Sequence, residues 1–256
     1  MRTIFGRWGA LLGLACLPWM ALACEAPAGG PYPPLPRAGG VVFFGEKPVE
    51  GGQEGADPEM GLTVNYLDCG TGVSRHVDDL PYLAETGRIE DAFYAKDPVG
   101  EELVVIHRVP VNSYPGLIYS TDYYSVLVYR LAQDGLVKDA RSTGFFDHGA
   151  DVIDDKDTVL FSYPYKHRNG VLQALQSKFY SDWLDASLTD FEVAEKRARL
   201  YTGASIALDS GMYVIAGDRV KVTGVSGGWV SMQYVTAKKK VIDAWMVCKD
   251  LRGCGQ

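Results

Sequence analysis

The sequence has little of what metal centres and nucleotide-binding sites are made from. Its 256 residues include four histidines and five cysteines, and no two cysteines have the C-x-x-C spacing typical of zinc sites. Glycine-rich loops that cradle phosphates or dinucleotides are missing as well. The residues therefore predict neither a metal site nor a cofactor.

After the N-terminus there is no apolar run of the roughly 20 residues that a membrane-spanning helix needs. Residues 10–23 are almost wholly apolar, follow Arg2 and Arg7, and end in a small-x-small pattern. This combination is typical of a signal peptide. We predict that residues 1–23 are removed and that the mature chain is periplasmic.

Cys24 directly follows the predicted cleavage point, and two fates are open to it. It can carry a lipid that anchors the chain to a membrane, although the match to a bacterial lipobox is imperfect. It can instead form a disulfide with Cys69 in an oxidising compartment, whereas lipidation leaves Cys69 single. Cys248 and Cys254 are expected to pair, since a glycine between them lets the chain close a small ring.

Acidic residues outnumber basic residues in the chain before its C-terminal segment. The formal charge of the chain is −7, and removal of Arg2 and Arg7 leaves −9. Residues 211–256 carry seven basic and three acidic residues, or +4, so residues 24–210 carry −13. Such a body repels nucleic acid and steers basic proteins toward it. We therefore expect no nucleic-acid partner, and membrane contact only through a lipid on Cys24.

The fold class predicted is mainly β with a small α-helical segment. Residues 24–40 are rich in Pro and Gly and are interpreted as a tether. Residues 41–168 are predicted to form a β-rich domain, because β-branched and aromatic runs of strand length recur there. These runs cover residues 41–44, 62–67, 102–109, 123–131 and 158–165.

Residues 169–205 are predicted to form a helical spacer. Apolar residues recur at three- and four-residue spacing between Val171 and Leu184, which indicates one helix. Thr189 and Glu192 have the spacing of a capping box, which predicts that a second helix begins there and continues to Tyr201.

Residues 206–256 alternate apolar and polar side chains in short runs. The pair Gly227-Gly228 is suited to a hairpin corner. Residues 212–251 contain, in this order, Gly217-Asp218, Trp229-Val230, Tyr234 and Ala244-Trp245-Met246. This order of motifs resembles the bacterial SH3-like (SH3b) domain, a small β-barrel, although Ala244 replaces the usual glycine. The resemblance implies a fold more than a function.

Two segments contain residue types that occur in active sites. Residues 224–228 match the hydrolase pattern G-x-S-x-G, but Ser226 falls between two strands, whereas that motif requires a strand-to-helix turn. Residues 147–157 contain five aspartates and His148 without the spacing of a calcium loop, which is typical of a solvated turn. We assign no catalytic residue and no metal ligand.

The leading hypothesis is an exported, non-enzymatic binding protein, specifically an immunity protein or inhibitor that neutralises a toxic periplasmic effector. The alternative is a cell-envelope protein that binds peptidoglycan through its SH3-like module. A second alternative is a periplasmic hydrolase using Ser226, Cys69 or His148. The candidate partner-binding residues are Trp229, Tyr234, Trp245, Asp151, Asp154 and Asp155.

Overall fold

The computed structural model describes residues 24–49, 58–83, 85–113, 117–132 and 135–254, and the predicted signal peptide lies outside them. Across these ranges the chain forms 18 β-strands, three α-helices and two short 3-10 helices. The prediction of a mainly β fold is therefore confirmed. Among the helices described, none has the length and apolar character needed to cross a membrane.

The first sheet is antiparallel and four-stranded, in the order β1-β2-β3-β4. Its edge strand lies inside the predicted tether, so that interpretation is wrong for residues 35–37. Pro36 is compatible with an edge strand. Proline has no backbone N–H, and on the outer side of an edge strand no hydrogen bond to a neighbouring strand is needed. The strands are β1 (Leu35–Arg37), β2 (Gly40–Pro48), β3 (Met60–Asp68) and β4 (Ser74–Asp79).

The central sheet has apolar residues on both faces. Leu103 and Val105 belong to one core, which it shares with the first sheet, while Val104 and Ile106 belong to a second core. The sequence of residues 123–131 predicted a central strand with large side chains on both faces. This strand is β8, which lies between two others in the sheet order β10-β8-β6-β5. The strands are β5 (Arg88–Lys96), β6 (Glu101–Val109), β8 (Tyr123–Ala132), β9 (Gly135–Lys138), which pairs with β8, and β10 (His148–Gly149).

Three helices and a small sheet lie beside the second core. The helix predicted from Val171 to Leu184 is two helices, because Ser177 interrupts it and accepts a hydrogen bond from the Tyr180 N–H as the cap of the next. The helices are α1 (Ala140–Phe146), α2 (Arg168–Leu175) and α3 (Lys178–Leu184). The small sheet contains β7 (Ile118–Tyr119), β11 (Val152–Ile153) and β12 (Val159–Phe161).

The second predicted helix, from Thr189 to Tyr201, is wrong, because this segment forms two strands. Ala198 and Leu200 are buried, while Arg197 and Arg199 between them are exposed, which is the period of a strand. Both strands pair within the C-terminal sheet, so tertiary pairing outweighs the capping-box signal. They are β13 (Asp190–Glu192) and β14 (Arg197–Tyr201).

The C-terminal sheet has six antiparallel strands in the order β13-β16-β17-β18-β14-β15. It begins at Asp190, within the segment predicted as a spacer. Gly227 and Gly228 both have positive φ at the β16–β17 hairpin, as predicted. In the part of the chain that the structure describes, no pairing joins β13 to β15. The remaining strands are β15 (Asp209–Ile215), β16 (Arg219–Ser226), β17 (Trp229–Val235) and β18 (Val241–Val247).

The C-terminal sheet shares its core with the preceding body. The ring of Trp229 stacks on Phe161 with centroids 4.9 Å apart, and Tyr201 contacts the same indole edge-on at 5.0 Å. One continuous cluster of buried residues runs from the central sheet through the helices into this sheet. The sheet is therefore packed onto the body.

Candidate functional site

A cleft of about 170 Å³ lies where the C-terminal sheet meets the body. The body contributes polar and aromatic side chains from β7, β8 and the segment after α1. The C-terminal sheet contributes residues from the β14–β15 connection and from the β16–β17 hairpin. The lining residues that bear functional groups are Tyr119, Tyr123, Asp147, His148, Ser205, Ser226 and Trp229.

Asp147 occupies an unusual backbone position at the end of α1. Its φ is +48° and its ψ is −131°, a conformation that residues other than glycine rarely adopt. Its N–H donates to the Thr143 carbonyl at 2.7 Å, and its own carbonyl accepts from the Val126 N–H at 3.1 Å. These bonds hold the helix end against β8, and strained positions of this kind are concentrated at functional sites.

The carboxylate of Asp147 contacts two other polar side chains of the cleft. Oδ2 accepts a hydrogen bond from the Ser226 hydroxyl, and Oδ1 lies 2.7 Å from Nδ1 of His148. The hairpin reaches this position because Gly227 approaches the body closely, with its N–H donating to the Phe145 carbonyl at 3.1 Å. An added Cβ at Gly227 would lie 2.9 Å from the His148 carbonyl oxygen.

The ionic states of this trio follow from the same contacts. Burial opposes the charge on Asp147, but hydrogen bonds from His148 and Ser226 outweigh it and lower the pKa of the carboxyl. The hydrogen bond with Asp147 raises the pKa of His148 against the opposing effect of burial. The cleft therefore favours a carboxylate bound to an imidazolium.

This order of groups does not make Ser226 a nucleophile. In a serine hydrolase the imidazole lies next to the hydroxyl and removes its proton, and the carboxylate lies behind the imidazole. Here the carboxylate lies between the two, and its lowered pKa makes it a weak base. The trio instead joins the hairpin to the body and holds Nδ1 of the imidazole against the carboxylate.

Aromatic rings extend from His148 along the cleft. The Tyr123 ring lies 5.4 Å from the imidazole, and the Tyr119 ring lies 6.2 Å from Tyr123 and nearly perpendicular to it. About half of the His148 side chain (54%) is exposed. The three rings form a surface that a ligand can contact.

The three aromatic residues predicted to bind a partner lie in different environments. Trp229 is 4% exposed and belongs to the core, so it is not a surface aromatic. Tyr234 donates to Asp218 at 3.3 Å, and Trp245 is half-buried against the same core. The structure does not bring them together as one groove.

The aspartates predicted to bind a partner mostly have structural contacts. Asp151 accepts from the Ser162 hydroxyl and the Tyr163 N–H, both at 2.9 Å. Asp154 accepts from two backbone N–H groups of the β11–β12 turn, which is typical of an Asx-turn. Asp155 is exposed on that turn. Within the described ranges, no group of three or more His, Cys, Asp or Glu side chains is arranged to hold a metal ion.

The expected disulfide between Cys248 and Cys254 is present, and of the two fates left open for Cys24 the structure shows the disulfide with Cys69. Cys24 bonds to Cys69, with Cα atoms 5.5 Å apart, and Cys248 bonds to Cys254, with Cα atoms 5.4 Å apart. A thioether-linked lipid would need the same sulfur of Cys24. The disulfide therefore excludes the lipidated alternative for any molecule in which it has formed, and it removes Cys69 as a reactive thiol.

The other histidines lie apart from the cleft. His107 is fully buried in β6, where burial lowers its pKa and Nε2 lies 3.1 Å from the Thr86 carbonyl. His76 lies 3.2 Å from the Asp79 carboxylate on β4. Sequence reasoning noticed His148 and Ser226 separately but missed Tyr119, Tyr123 and the linking role of Asp147. No local signal marks a contact between residues so distant in sequence.

Neither a family model nor a curated protein nor a solved structure matches the chain. The inferences about function below therefore rest on the residues and their geometry.

Proposed function

We propose that this protein is an exported, non-enzymatic binding protein that neutralises a toxic periplasmic effector, as an immunity protein or inhibitor. The observation that carries this proposal is the position of the Asp147 carboxylate between the Ser226 hydroxyl and the His148 imidazole. The one hydrolase-like motif of the chain is thereby a structural joint beside a cleft. A cleft lined by two half-buried tyrosine rings and an exposed imidazole favours binding of a ligand over covalent chemistry.

Charge supports a protein partner. Residues 24–210 carry −13, which accelerates encounter with a basic protein and disfavours acidic polymers. The two disulfides are compatible with the oxidising periplasm, where such bonds persist. In this proposal the C-terminal sheet is an SH3-like module that completes the cleft with the hairpin carrying Ser226.

A second candidate is peptidoglycan binding by the C-terminal sheet. Arg197 lies 3.9 Å above the ring of Tyr213, which is 48% exposed, and Arg199 lies on the same pair of strands. A guanidinium beside an exposed aromatic ring suits the carboxylates and sugars of muropeptides. If this candidate is correct, the mature chain sediments with purified sacculi and a Tyr213→Ala variant stays in the supernatant.

The proposed function is tested by immobilising the mature chain and passing periplasmic extract over it at low and at high ionic strength. We expect a basic protein to be retained at low salt and to be released as salt screens the acidic body. Retention of no protein at low salt, or equal retention on bare resin, overturns the proposal.

A further inference from the structure

The cleft at His148 continues into a longer groove. A second cavity, of about 730 Å³, shares Tyr119, Tyr123 and His148 with the cleft. A third, of about 580 Å³, shares Glu85 and Pro110 with the second. The shared residues show that the three cavities adjoin in series, from the C-terminal hairpin to the far edge of the central sheet. We call this series the long groove.

The size of the long groove suits an extended chain. Either of its two larger cavities alone has the volume of a typical small-molecule site, about 300–1,000 Å³. These two cavities and the adjoining cleft together exceed what one small molecule fills. An extended polypeptide or glycan has the required length.

The chemistry of the long groove differs between its ends. The far end is lined by the carboxylates of Glu59, Glu85 and Asp122 and by the guanidinium of Arg88. Asp122 forms an ion pair with Arg108, so Glu59 and Glu85 are the carboxylates that give this end its acidic character. The middle contains Asn112, which is exposed, and the two tyrosines beside His148. Tyrosines supply large contact areas at low cost in conformational entropy, which is why they are frequent in protein-binding surfaces.

The acidic end decides between the two kinds of chain. Muropeptides carry carboxylates, which Glu59 and Glu85 would repel, whereas lysine and arginine side chains would be attracted. We propose that the long groove holds an extended polypeptide segment of the protein partner, with a lysine or arginine at the Glu85 end and its remaining length across Tyr123 and His148. This inference rests on the proposed function and names the surface and the segment by which it operates.

The test uses a random heptapeptide library displayed on phage and selected against the immobilised mature chain. A selected peptide is then synthesised with a fluorophore, and its Kd is measured by anisotropy at low salt. Selected sequences are expected to contain lysine or arginine at one fixed position.

Two substitutions at the exposed Asn112 change the charge of the groove without removing a buried contact. Asn112→Lys is expected to weaken binding of the selected peptide by up to about fivefold, and Asn112→Asp to strengthen it by a similar factor, the range of one exposed charge pair. Asp155→Asn on the β11–β12 turn is the matched control, because it changes the net charge by the same amount as Asn112→Lys. We expect it to change the Kd less than about twofold.

A larger effect is expected at the aromatic middle of the groove. The double variant Tyr119→Ala/Tyr123→Ala should weaken binding at least about thirtyfold if these rings are the main contacts. Circular dichroism checks that this variant is folded. If it is not, the affinities of Asn112→Lys and Asn112→Asp for the selected peptide test the inference instead.

Three results would overturn the inference. These are selected peptides without an enriched basic position, equal affinities of Asn112→Lys and Asp155→Asn, and displacement of the peptide by soluble muropeptides. Failure of this inference can be distinguished from failure of the proposed function. If a partner is retained equally by Asn112→Lys and by the unaltered chain, the proposed function is supported, but binding through the long groove is refuted.

Discussion

The hydroxyl of Ser226 donates a hydrogen bond to the carboxylate of Asp147, which precedes it by 79 residues. This bond joins the β16–β17 hairpin of the C-terminal sheet to the end of α1 in the body. The same carboxylate binds Nδ1 of His148. A serine in a hydrolase-like motif thus acts as part of a joint, and the joint forms one wall of the proposed binding surface.

Ser226→Ala should destabilise the protein. The lost bond has a charged acceptor, and such bonds contribute about 2 kcal/mol to the free energy of unfolding. Urea unfolding measures the loss. Ser231→Ala is the control, because its hydroxyl bonds the uncharged hydroxyl of Thr223 at the surface, and it should cost under about 1 kcal/mol. If the two substitutions lower the free energy of unfolding equally, the hydrogen bond from Ser226 to Asp147 does not stabilise the contact between the hairpin and the body.

Asp147→Asn should lower the pKa of His148 toward its ordinary value of 6.5, because the bound carboxylate is what raises it. An NMR titration of the imidazole follows this change. In the unaltered chain, the folded pKa lies above the unfolded one. The stability due to His148 is therefore complete below about pH 6.5 and is lost as the pH rises through the folded pKa. A His148 pKa that is unchanged in Asp147→Asn would refute the ion pair.

Because of Glu102, the free energy of unfolding should fall as the pH rises from about 5 to 8. Its side chain is fully buried, and burial together with the charge of Asp97 raises its pKa to about 8, against the opposing effect of Arg130. The folded chain retains a proton that the unfolded chain releases above its ordinary value of 4.5.

Glu102→Gln is neutral at every pH and should remove this dependence. The variant should gain roughly 3 kcal/mol on the unaltered chain across that pH range. Thermal unfolding at several pH values provides the comparison, and parallel pH profiles would contradict a protonated Glu102.

No cysteine of the mature, folded chain should react with an alkylating reagent before reduction, and all four should react after reduction and unfolding. Mass spectrometry of the protein isolated from its native cells provides the readout. If Cys24 carries a lipid, Cys69 is alkylated without reduction and the chain partitions into detergent, which would contradict the Cys24–Cys69 bond.

A fragment of residues 206–256 should not fold alone. It lacks β14, which lies between β18 and β15, and it lacks Phe161, on which Trp229 stacks. The amide spectrum of this fragment should show the narrow dispersion of an unfolded chain. A well-dispersed spectrum would show that the C-terminal strands form an independent domain.

Local patterns in the sequence were sufficient for much of the fold. The strands β2, β3, β6 and β8 were predicted because their β-branched and aromatic runs are long and continuous. Strands β4 and β5 were missed because charged residues interrupt them, as in Arg88–Lys96. The segment Arg197–Tyr201 was predicted as a helix because the pairing that makes it a strand involves residues distant in sequence.

The candidate site was less predictable for the same reason. His148 and Ser226 were recognisable as reactive residue types, but their relation to Asp147 depends on how the C-terminal sheet packs on α1. Trp229 lies in a run of alternating apolar and polar residues, which predicts a strand. The local sequence does not show that Phe161 covers the ring of Trp229. Spacing along a chain reports periodic faces, whereas contacts between sheets depend on the complete core.

The central claim is that a protein partner binds the long groove, and the most direct measurement is its retention from periplasmic extract by matched immobilised variants. The account predicts that the unaltered chain and Asp155→Asn retain the same basic protein at low salt. It also predicts that Asn112→Lys and Tyr119→Ala/Tyr123→Ala retain clearly less. Equal retention by all four, or retention by none, would contradict the account.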